Sequence, residues 1–419
     1  MSYPDSVRYL YALGNELRAG TKFGLDRMRI LLEALGHPEQ DQQFVHVAGT
    51  NGKGSTCAMI ASIVQQAGKR TGLYTSPHLV EPTERIQIDG KPVSTDQFAS
   101  AYETVHAAAE KLLQDGAIEA HPSYFETVTA MGLLVFRKRA EISVIEVGLG
   151  GRLDATNVIV PRLSVITPVS YDHEAYLGNT LDLIAGEKAG ILKPGVPVVV
   201  AAQEVTAENV ISTRAGELGC PLIRPDFGKL QVLEARDDGS RFRYEGAEYE
   251  CLLPGRHQIG NAVCAILACR ELQIEGRAIA EGLRQARWPG RLERVSHDPD
   301  FVLDGAHNPA GAAALAAYIR EFCPGREVWM VYGAMRDKAI EEVTEQLFPL
   351  AKRLILTVPD FPRALRAEAI LEVTPHLNAG LTENVPQAIE LARKAPPGAI
   401  VFFTGSLYLV GEARKLLVQ

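Results

Sequence analysis

Phe44-Val45-His46-Val47-Ala48 runs directly into Gly49-Thr50-Asn51-Gly52-Lys53-Gly54-Ser55, and Thr56–Ala67 follows with apolar Met59, Ile60, Ile63, Val64 and Ala67 before Gly68. A short apolar run, a glycine-rich turn and an apolar stripe at helical spacing predict strand, loop and helix in succession. Such a junction is built to hold an anion. Backbone N–H groups of the turn face outward, and the helix start adds partial positive charge. The glycines allow close approach, Lys53 supplies a mobile charge, and the Ser55 hydroxyl suits Mg²⁺. The spacing departs from the strict G-x-x-x-x-G-K-[ST] pattern, because Gly49 stands three residues before Gly52 and Gly54 separates Lys53 from Ser55. By itself the loop indicates a nucleotide phosphate chain and no particular chemistry.

Working outward, Gly72–Thr75, Ile142–Val147, Leu163–Thr167 and Val196–Ala201 are further strand candidates. The last three are almost wholly apolar, as strands of a parallel sheet covered on both faces must be. Residues 229–253 differ: Asp237-Asp238-Gly239 and Glu245-Gly246 mark turns between short alternating segments, which predicts a small antiparallel addition. From about Glu293 the pattern restarts, with strands Phe301–Leu303, Glu327–Tyr332, Leu354–Thr357 and Ile400–Thr404 and a helix over Ala310–Phe322. The fold class is therefore α/β. A P-loop-containing, mostly parallel sheet domain with its antiparallel addition is expected over residues 1–292, and a smaller Rossmann-like α/β domain over 293–419.

Composition agrees with this and removes several function classes. The 419 residues are 46% hydrophobic and 22% charged, ordinary for a globular protein. A net charge of −8 argues against a nucleic-acid partner. Cys57, Cys220, Cys251, Cys264, Cys269 and Cys323 lack C-x-x-C spacing and read as free thiols of a reducing compartment. No apolar run approaches the ~18 residues of a membrane helix, and the stretch from Met1 to Arg18 has no signal-peptide core. A cytoplasmic, soluble protein without a membrane partner is expected.

Two further segments sit where ligands of open parallel sheets bind, beyond the carboxyl ends of strands. One is Glu146-Val147-Gly148-Leu149-Gly150-Gly151-Arg152-Leu153-Asp154, which lacks the G-x-G-x-x-G spacing of a dinucleotide fingerprint. The other is Asp172-His173. Glu146, Ser76 and His173 offer oxygen donors and one imidazole, a set that suits Mg²⁺ or Mn²⁺ better than tetrahedral zinc. Lys188, within Ile184–Gly190, reads by itself as an exposed helical lysine.

Taken in order, the segments resemble the folylpolyglutamate synthases, including the bacterial enzymes that are also dihydrofolate synthases, within the Mur ligase superfamily. The resemblance runs nearly end to end. It comprises Gly24–Met28, Gly49–Ser55, Tyr74–Leu79, Glu84–Ile86, Tyr124–Glu126, Glu146–Asn157, Asp172-His173, Glu187–Ile191, Gly255–Gln258 with Asn261, Trp288–Glu293, Asp304–Asn308, Gly333–Lys338 and Gly405–Tyr408. It implies an ATP-dependent ligase of folate biosynthesis and one-carbon metabolism. Such an enzyme adds L-glutamate to dihydropteroate or to the γ-carboxyl of tetrahydrofolate glutamates through an acyl phosphate.

The resemblance also implies site roles. Thr50, Asn51, Gly52, Lys53, Gly54, Ser55, Asn261, Arg291, Asp304 and His307 would contact ATP, with Arg291 at phosphate and Asp304 at ribose. Ser55, Ser76, Glu146 and His173 would hold two Mg²⁺ ions, with a monovalent cation as a further expectation. Lys53 and His173 would serve catalysis, together with Lys188 as the N-carbamylated lysine of the superfamily. Tyr124, Phe125, Glu126, Leu153, Asp154 and Ala155 would line the folate or pteroate site, and the enzyme would act as a monomer. Two alternatives differ from this reading. A cell-wall Mur ligase would carry a further N-terminal domain, for which the roughly 43 residues before the first strand are too few. A nucleotide switch would have no use for the metal cluster, Lys188 and Asp304/His307 together.

Overall fold

The apolar run that opens the phosphate loop is the central strand of its sheet, β1 (Gln43–Ala48), buried from Phe44 onward. The computed structural model describes residues 2–13, 24–336 and 338–418; Asp337, inside the Gly333–Lys338 segment, and part of the stretch through Arg18 lie outside the described residues. By internal contacts the chain forms two units, one of Met1–Val169, Leu181–Pro225 and Val263–Leu283, the other of Ser170–Thr180, Asp226–Ala262 and Arg284–Gln419.

The first unit holds an eight-stranded sheet. Its strands are β1, β2 (Thr71–Tyr74), β3 (Ile86–Ile88), β4 (Lys91–Pro92), β5 (Ile142–Glu146), β6 (Leu163–Ile166), β7 (Val198–Val200) and β8 (Leu222–Ile223), in the order β4-β3-β2-β5-β1-β6-β7-β8. The run from β2 to β8 is parallel, and β3 and β4 add an antiparallel edge. Because β1 lies between β5 and β6, the loops leaving these three strands emerge side by side at one sheet edge, the position where open α/β sheets bind ligands. Helices α1 (Tyr3–Ala12), α2 (Asp26–Ala34), α3 (Lys53–Gln66), α4 (Thr95–Gln114) and α5 (Tyr124–Arg139) precede β6. Leu10, Met28, Leu31, Phe98, Tyr102 and Val128 from four of them share a core with Phe44 and Tyr74 of the sheet.

The second unit holds two sheets. The polar-alternating segment forms the expected antiparallel hairpins, β9 (Leu230–Arg236), β10 (Gly239–Tyr244) and β11 (Ala247–Cys251), and its contacts group it with this unit. A six-stranded sheet follows, of β12 (Glu293–Ser296), β13 (Asp300–Leu303), β14 (Val328–Tyr332), β15 (Arg353–Leu356), β16 (Ala379–Leu381) and β17 (Ile400–Thr404), in the order β12-β13-β17-β14-β15-β16. All neighbours but β12 and β13 run parallel. The core of Val302, Leu315, Met330, Leu354 and Phe402 lies between this sheet and its helices. The predicted strands recur within one or two residues, the usual uncertainty of element ends. Among the described residues no helix is long and apolar enough to cross a membrane.

Candidate active site

The loop after β1 is folded by its neighbours. The N–H groups of Thr50 and Asn51 donate to the Pro168 carbonyl at 3.0 and 3.2 Å, so the loop leans on the segment leaving β6. Gly49 has φ +145°, and a Cβ there would stand 1.9 Å from Thr167 Oγ1, so no other residue fits. Gly52, at φ +84°, turns the chain into α3. Lys53 reaches back to the Thr50 carbonyl at 3.1 Å. Ser55 is buried in the first turn of α3.

Lys188 is not an exposed helical lysine. It is only 4% exposed, in the last turn of helix Leu181–Ala189, and its Nζ donates to the Gly49 carbonyl at 2.9 Å. The glycines around it explain how it is held. A Cβ on Gly190 would lie 2.5 Å from Arg152 Cβ, and one on Gly151 would lie 2.7 Å from the Glu187 carbonyl. This contact joins the loop after β5 to the end of the lysine-bearing helix. Polar bonds seal it: Arg152 N–H to the Glu187 carbonyl (2.9 Å), and the Asn157 amide to the Arg152 and Gly190 carbonyls (2.9 and 3.1 Å).

Glu146, at the end of β5, is 5% exposed and accepts from the Ser76 N–H at 3.2 Å, so the expected ligands Ser76 and Glu146 do meet. The buried Cys57 thiol is pushed well above its ordinary range, by burial first and then by the Glu146 charge, with Lys53 opposing. The carboxylate and the loop lysine therefore act on one small region of α3.

At the expected folate segment, α5 begins with a capping box. Ser123 accepts from the Glu126 N–H, and the Glu126 carboxylate takes the Ser123 N–H at 2.8 Å. The same carboxylate is forked by Arg27, with Nε–Oε2 at 3.0 Å. Arg27, a residue with no role assigned from sequence, thus compensates a buried acid at this position. Tyr124 stacks on Tyr11 with centroids 5.7 Å apart and lies beneath the Arg85 guanidinium at 4.9 Å. Phe125 is buried. Asp154 is buried, which pushes its carboxyl up against hydrogen bonds from Thr156 and from the Leu149 N–H at 2.9 Å. Ala155 is buried, whereas Leu153 is exposed.

In the second unit, loops after β13 and β17 meet at the edge of the six-stranded sheet. Buried Asp304 accepts the N–H groups of Leu292 and Ala306, each at 3.0 Å. Burial raises its pKa, opposed first by the neighbouring Arg291 charge. Arg291 donates to the Gly290 carbonyl at 3.0 Å, and the Asn261 amide donates to Gln258 at 2.9 Å. His257 is lowered to about 4 by burial and then by Arg291, so its imidazole is neutral at pH 7.

His173 belongs to the second unit, at φ +54° beside Asp172. Asp172 is a hub there. It accepts from Lys338 Nζ at 2.7 Å and from the Asn308 amide at 3.0 Å, and His307 Nε2 stands 3.5 Å away. Burial raises the Asp172 carboxyl, but the His307 hydrogen bond and charge, with Lys338 and His173, outweigh it and hold it well below the usual range. His307 Nδ1 faces the Gly305 carbonyl at 2.7 Å, so it carries the proton on that side. The hub roles of Asp172, Asn308 and Lys338 escape sequence reasoning. Their only signal is that each sits inside a segment carrying the resemblance.

Comparison with known proteins decides what these two edges belong to. Residues 47–269 match the Mur ligase middle domain, and residues 290–407 match the Mur ligase glutamate ligase domain. The Bacillus subtilis protein named dihydrofolate synthase/folylpolyglutamate synthase is 36% identical over 431 residues, covering 99% of each chain. The chain belongs to the folylpolyglutamate synthase/dihydrofolate synthase group of the Mur ligase family. It is an ATP-dependent ligase. Mycobacterium tuberculosis folylpolyglutamate synthase, solved in complex with ADP and AMPPCP, superposes with a TM-score of 0.91 at 32% identity, covering 100% of this chain and 99% of that one. Escherichia coli FolC in complex with DHPP and ADP gives 0.88 at 29% identity, covering 99% and 97%. For this Mur ligase the glycine loop, the β5 end and the second-unit loops are therefore parts of one enzyme family's architecture.

Proposed function

We propose that the chain joins L-glutamate both to dihydropteroate and to the γ-carboxyl of tetrahydrofolate glutamates, each through an acyl phosphate. The observation that carries this reading is the buried Lys188 ammonium seated on the Gly49 carbonyl at the head of the phosphate loop. A nucleotide switch needs the loop but has no use for a second buried lysine held on it. A carboxylate is a poor acyl donor to an amine. Transfer of the ATP γ-phosphoryl group to the carboxylate oxygen, with ADP leaving, makes it reactive. The neutral amine of glutamate then attacks, and phosphate leaves as the amide forms.

The residues take these roles in the proposal. Thr50, Asn51, Gly52, Gly54 and Ser55 cradle phosphates, and Lys53 turns from the Thr50 carbonyl to offset their charge. Asn261, Arg291, Asp304 and His307 contact the remainder of ATP, with Arg291 facing phosphate. Ser55, Ser76 and Glu146 fit Mg²⁺, because a buried carboxylate with hydroxyl donors is the oxygen set that ion takes; His173 is proposed for a second ion. Bound Mg²⁺ supplies neutralisation of phosphate oxygens. Lys188 is proposed to carry a carbamate. Tyr124, Phe125, Glu126, Leu153, Asp154 and Ala155 form the pterin-side wall. Residues 1–292 act as the ATP and folate portion and 293–419 as the glutamate-ligase portion of a cytoplasmic monomer.

The test is a direct assay with ATP, Mg²⁺ and glutamate, using dihydropteroate and tetrahydrofolate separately. ADP release that requires glutamate is expected with both. Activity with one alone removes the dual substrate range, and ADP release indifferent to both removes the ligase reading.

A further inference from the structure

Among the described residues, His106, Glu110 and His121 each bring one potential ligand atom to within 4.8 Å of the others. None of the three has a part in the ligase site. His106 and Glu110 lie four residues apart on α4 and so share one helix face. His121 comes from the segment between α4 and α5. The Glu110 oxygen is 4.0 Å from His106 Nδ1 and 3.7 Å from His121 Nε2. Donor atoms around one tetrahedral zinc-type ion stand about 3.3 Å apart, so small shifts of the half-exposed Glu110 and of the imidazole rings are needed to close the set.

Two observations separate this trio from a chance surface grouping. His106 Nδ1 and His121 Nε2 are buried atoms without a hydrogen-bond partner, which is costly for an imidazole nitrogen unless something else binds it. The His121 tautomer is also set from behind. Its Nδ1 lies 3.1 Å from the Pro122 carbonyl, which can only accept, so Nδ1 carries the hydrogen and the neutral ring presents a lone pair at Nε2. A backbone carbonyl holding the far nitrogen is how metal-binding histidines are commonly oriented. His106 is steadied by Tyr102, stacked at 5.4 Å with planes 10° apart.

We propose that His106, Glu110 and His121 form a binding site for a borderline divalent transition ion of the zinc(II) class. Two imidazoles and one carboxylate suit such an ion and disfavour Mg²⁺, and three protein ligands leave a fourth position for water. The ion would tie α4 to the residues that cap α5, three positions before Tyr124.

Cobalt(II) is the probe, titrated into the full chain with Mg²⁺ in large excess and no nucleotide. About one Co²⁺ per chain is expected, with the intense visible bands of a four-coordinate ion, displaced by Zn²⁺. Glu110→Gln should weaken binding at least about tenfold, and His106→Ala/His121→Ala should abolish the bands. Thermal unfolding of metal-free variants reports whether they are folded, and Glu110→Gln, altering a half-exposed side chain, keeps the test open if the double variant is not. No stoichiometric binding, or binding and bands unchanged in Glu110→Gln, overturns the proposal and leaves only carboxylate–imidazole contacts.

Discussion

The carboxyl edges of the two parallel sheets are built alike and charged differently. In each, the chain crosses over a central strand, so that loops from neighbouring strands gather at one edge. At the edge of the first sheet, Lys53 and Lys188 each donate to a carbonyl of the phosphate loop itself. At the edge of the second, Lys338, His307 and Asn308 converge on the carboxylate of Asp172. A carbonyl dipole is a weak counterpart for an ammonium, which leaves Lys53 able to turn to phosphate oxygens and Lys188 open to modification. A buried carboxylate is a strong one, and the Lys338 ammonium on it is committed to the fold. Lys53 at the first edge should therefore yield a catalytic loss on mutation, and Asp172 at the second should yield a stability loss.

The largest expected effect tests the first half of that contrast. Lys53→Ala should reduce the ligation rate by on the order of 10²–10³-fold or more at saturating ATP, measured as glutamate-dependent ADP release, while the unfolding midpoint stays near the parent's. Near-normal product formation would break the assignment of the loop.

Asp172→Asn tests the second half. Removing the charge leaves the Lys338 ammonium without its counterion, and a loss of about 3 kcal/mol in unfolding free energy is expected. The pH dependence has a definite sign. The folded carboxyl is depressed, so its contribution is complete above the unfolded value of about 3.9 and is lost as pH falls toward the folded one. The parent should therefore lose stability below pH ~4 more steeply than Asp172→Asn. Parallel acid-unfolding curves would show that the hub carries no such linkage.

The same contrast explains what was legible in the sequence. The strands at both edges could be read because buried parallel strands are runs of apolar residues, as in Val198–Val200 and Ile400–Thr404. Glu146 and the glycine loop could be read because they follow such strands directly. Lys188 could not be read from its own segment. Its burial depends on Gly190 and Gly151 allowing two backbones to approach, a long-range event with no local periodicity. Asp172 was visible as a candidate beside His173, but its partners Asn308 and Lys338 lie 136 and 166 residues away. Arg27 and Glu126 likewise pair across 99 residues, and only the fold joins them. The trio beside α4 had a local signal, a histidine and a glutamate four apart on that helix, whose meaning depends on where His121 falls.

Gly190→Ala addresses that close approach. The added methyl would lie 2.5 Å from Arg152 Cβ and 2.9 Å from the Glu187 carbonyl, so the two segments must part. Overpacking of this kind costs about 1–3 kcal/mol. Because Lys188 is two residues away, a loss of ligation disproportionate to the loss of stability is expected. Equal, small losses would show that the lysine is positioned by its helix and not by this contact.

The smallest effect is expected at Arg152, whose guanidinium joins Glu187 at 3.1 Å and the Gly186 carbonyl at 3.0 Å. Arg152→Ala removes both bonds, yet the side chain is about half exposed, and solvent screens such pairs to no more than about 1 kcal/mol. The same junction is held independently by the Arg152 N–H on the Glu187 carbonyl and by the buried Asn157 amide, neither of which the substitution touches. Asn157→Ala, in contrast, strips donors from the Arg152 and Gly190 carbonyls at a part-buried junction and should destabilise by about 1–3 kcal/mol. If the order of the two variants in urea midpoints were reversed, the loop after β5 would hang on its exposed ion pair, and Lys188 would owe its position to a contact that salt can weaken.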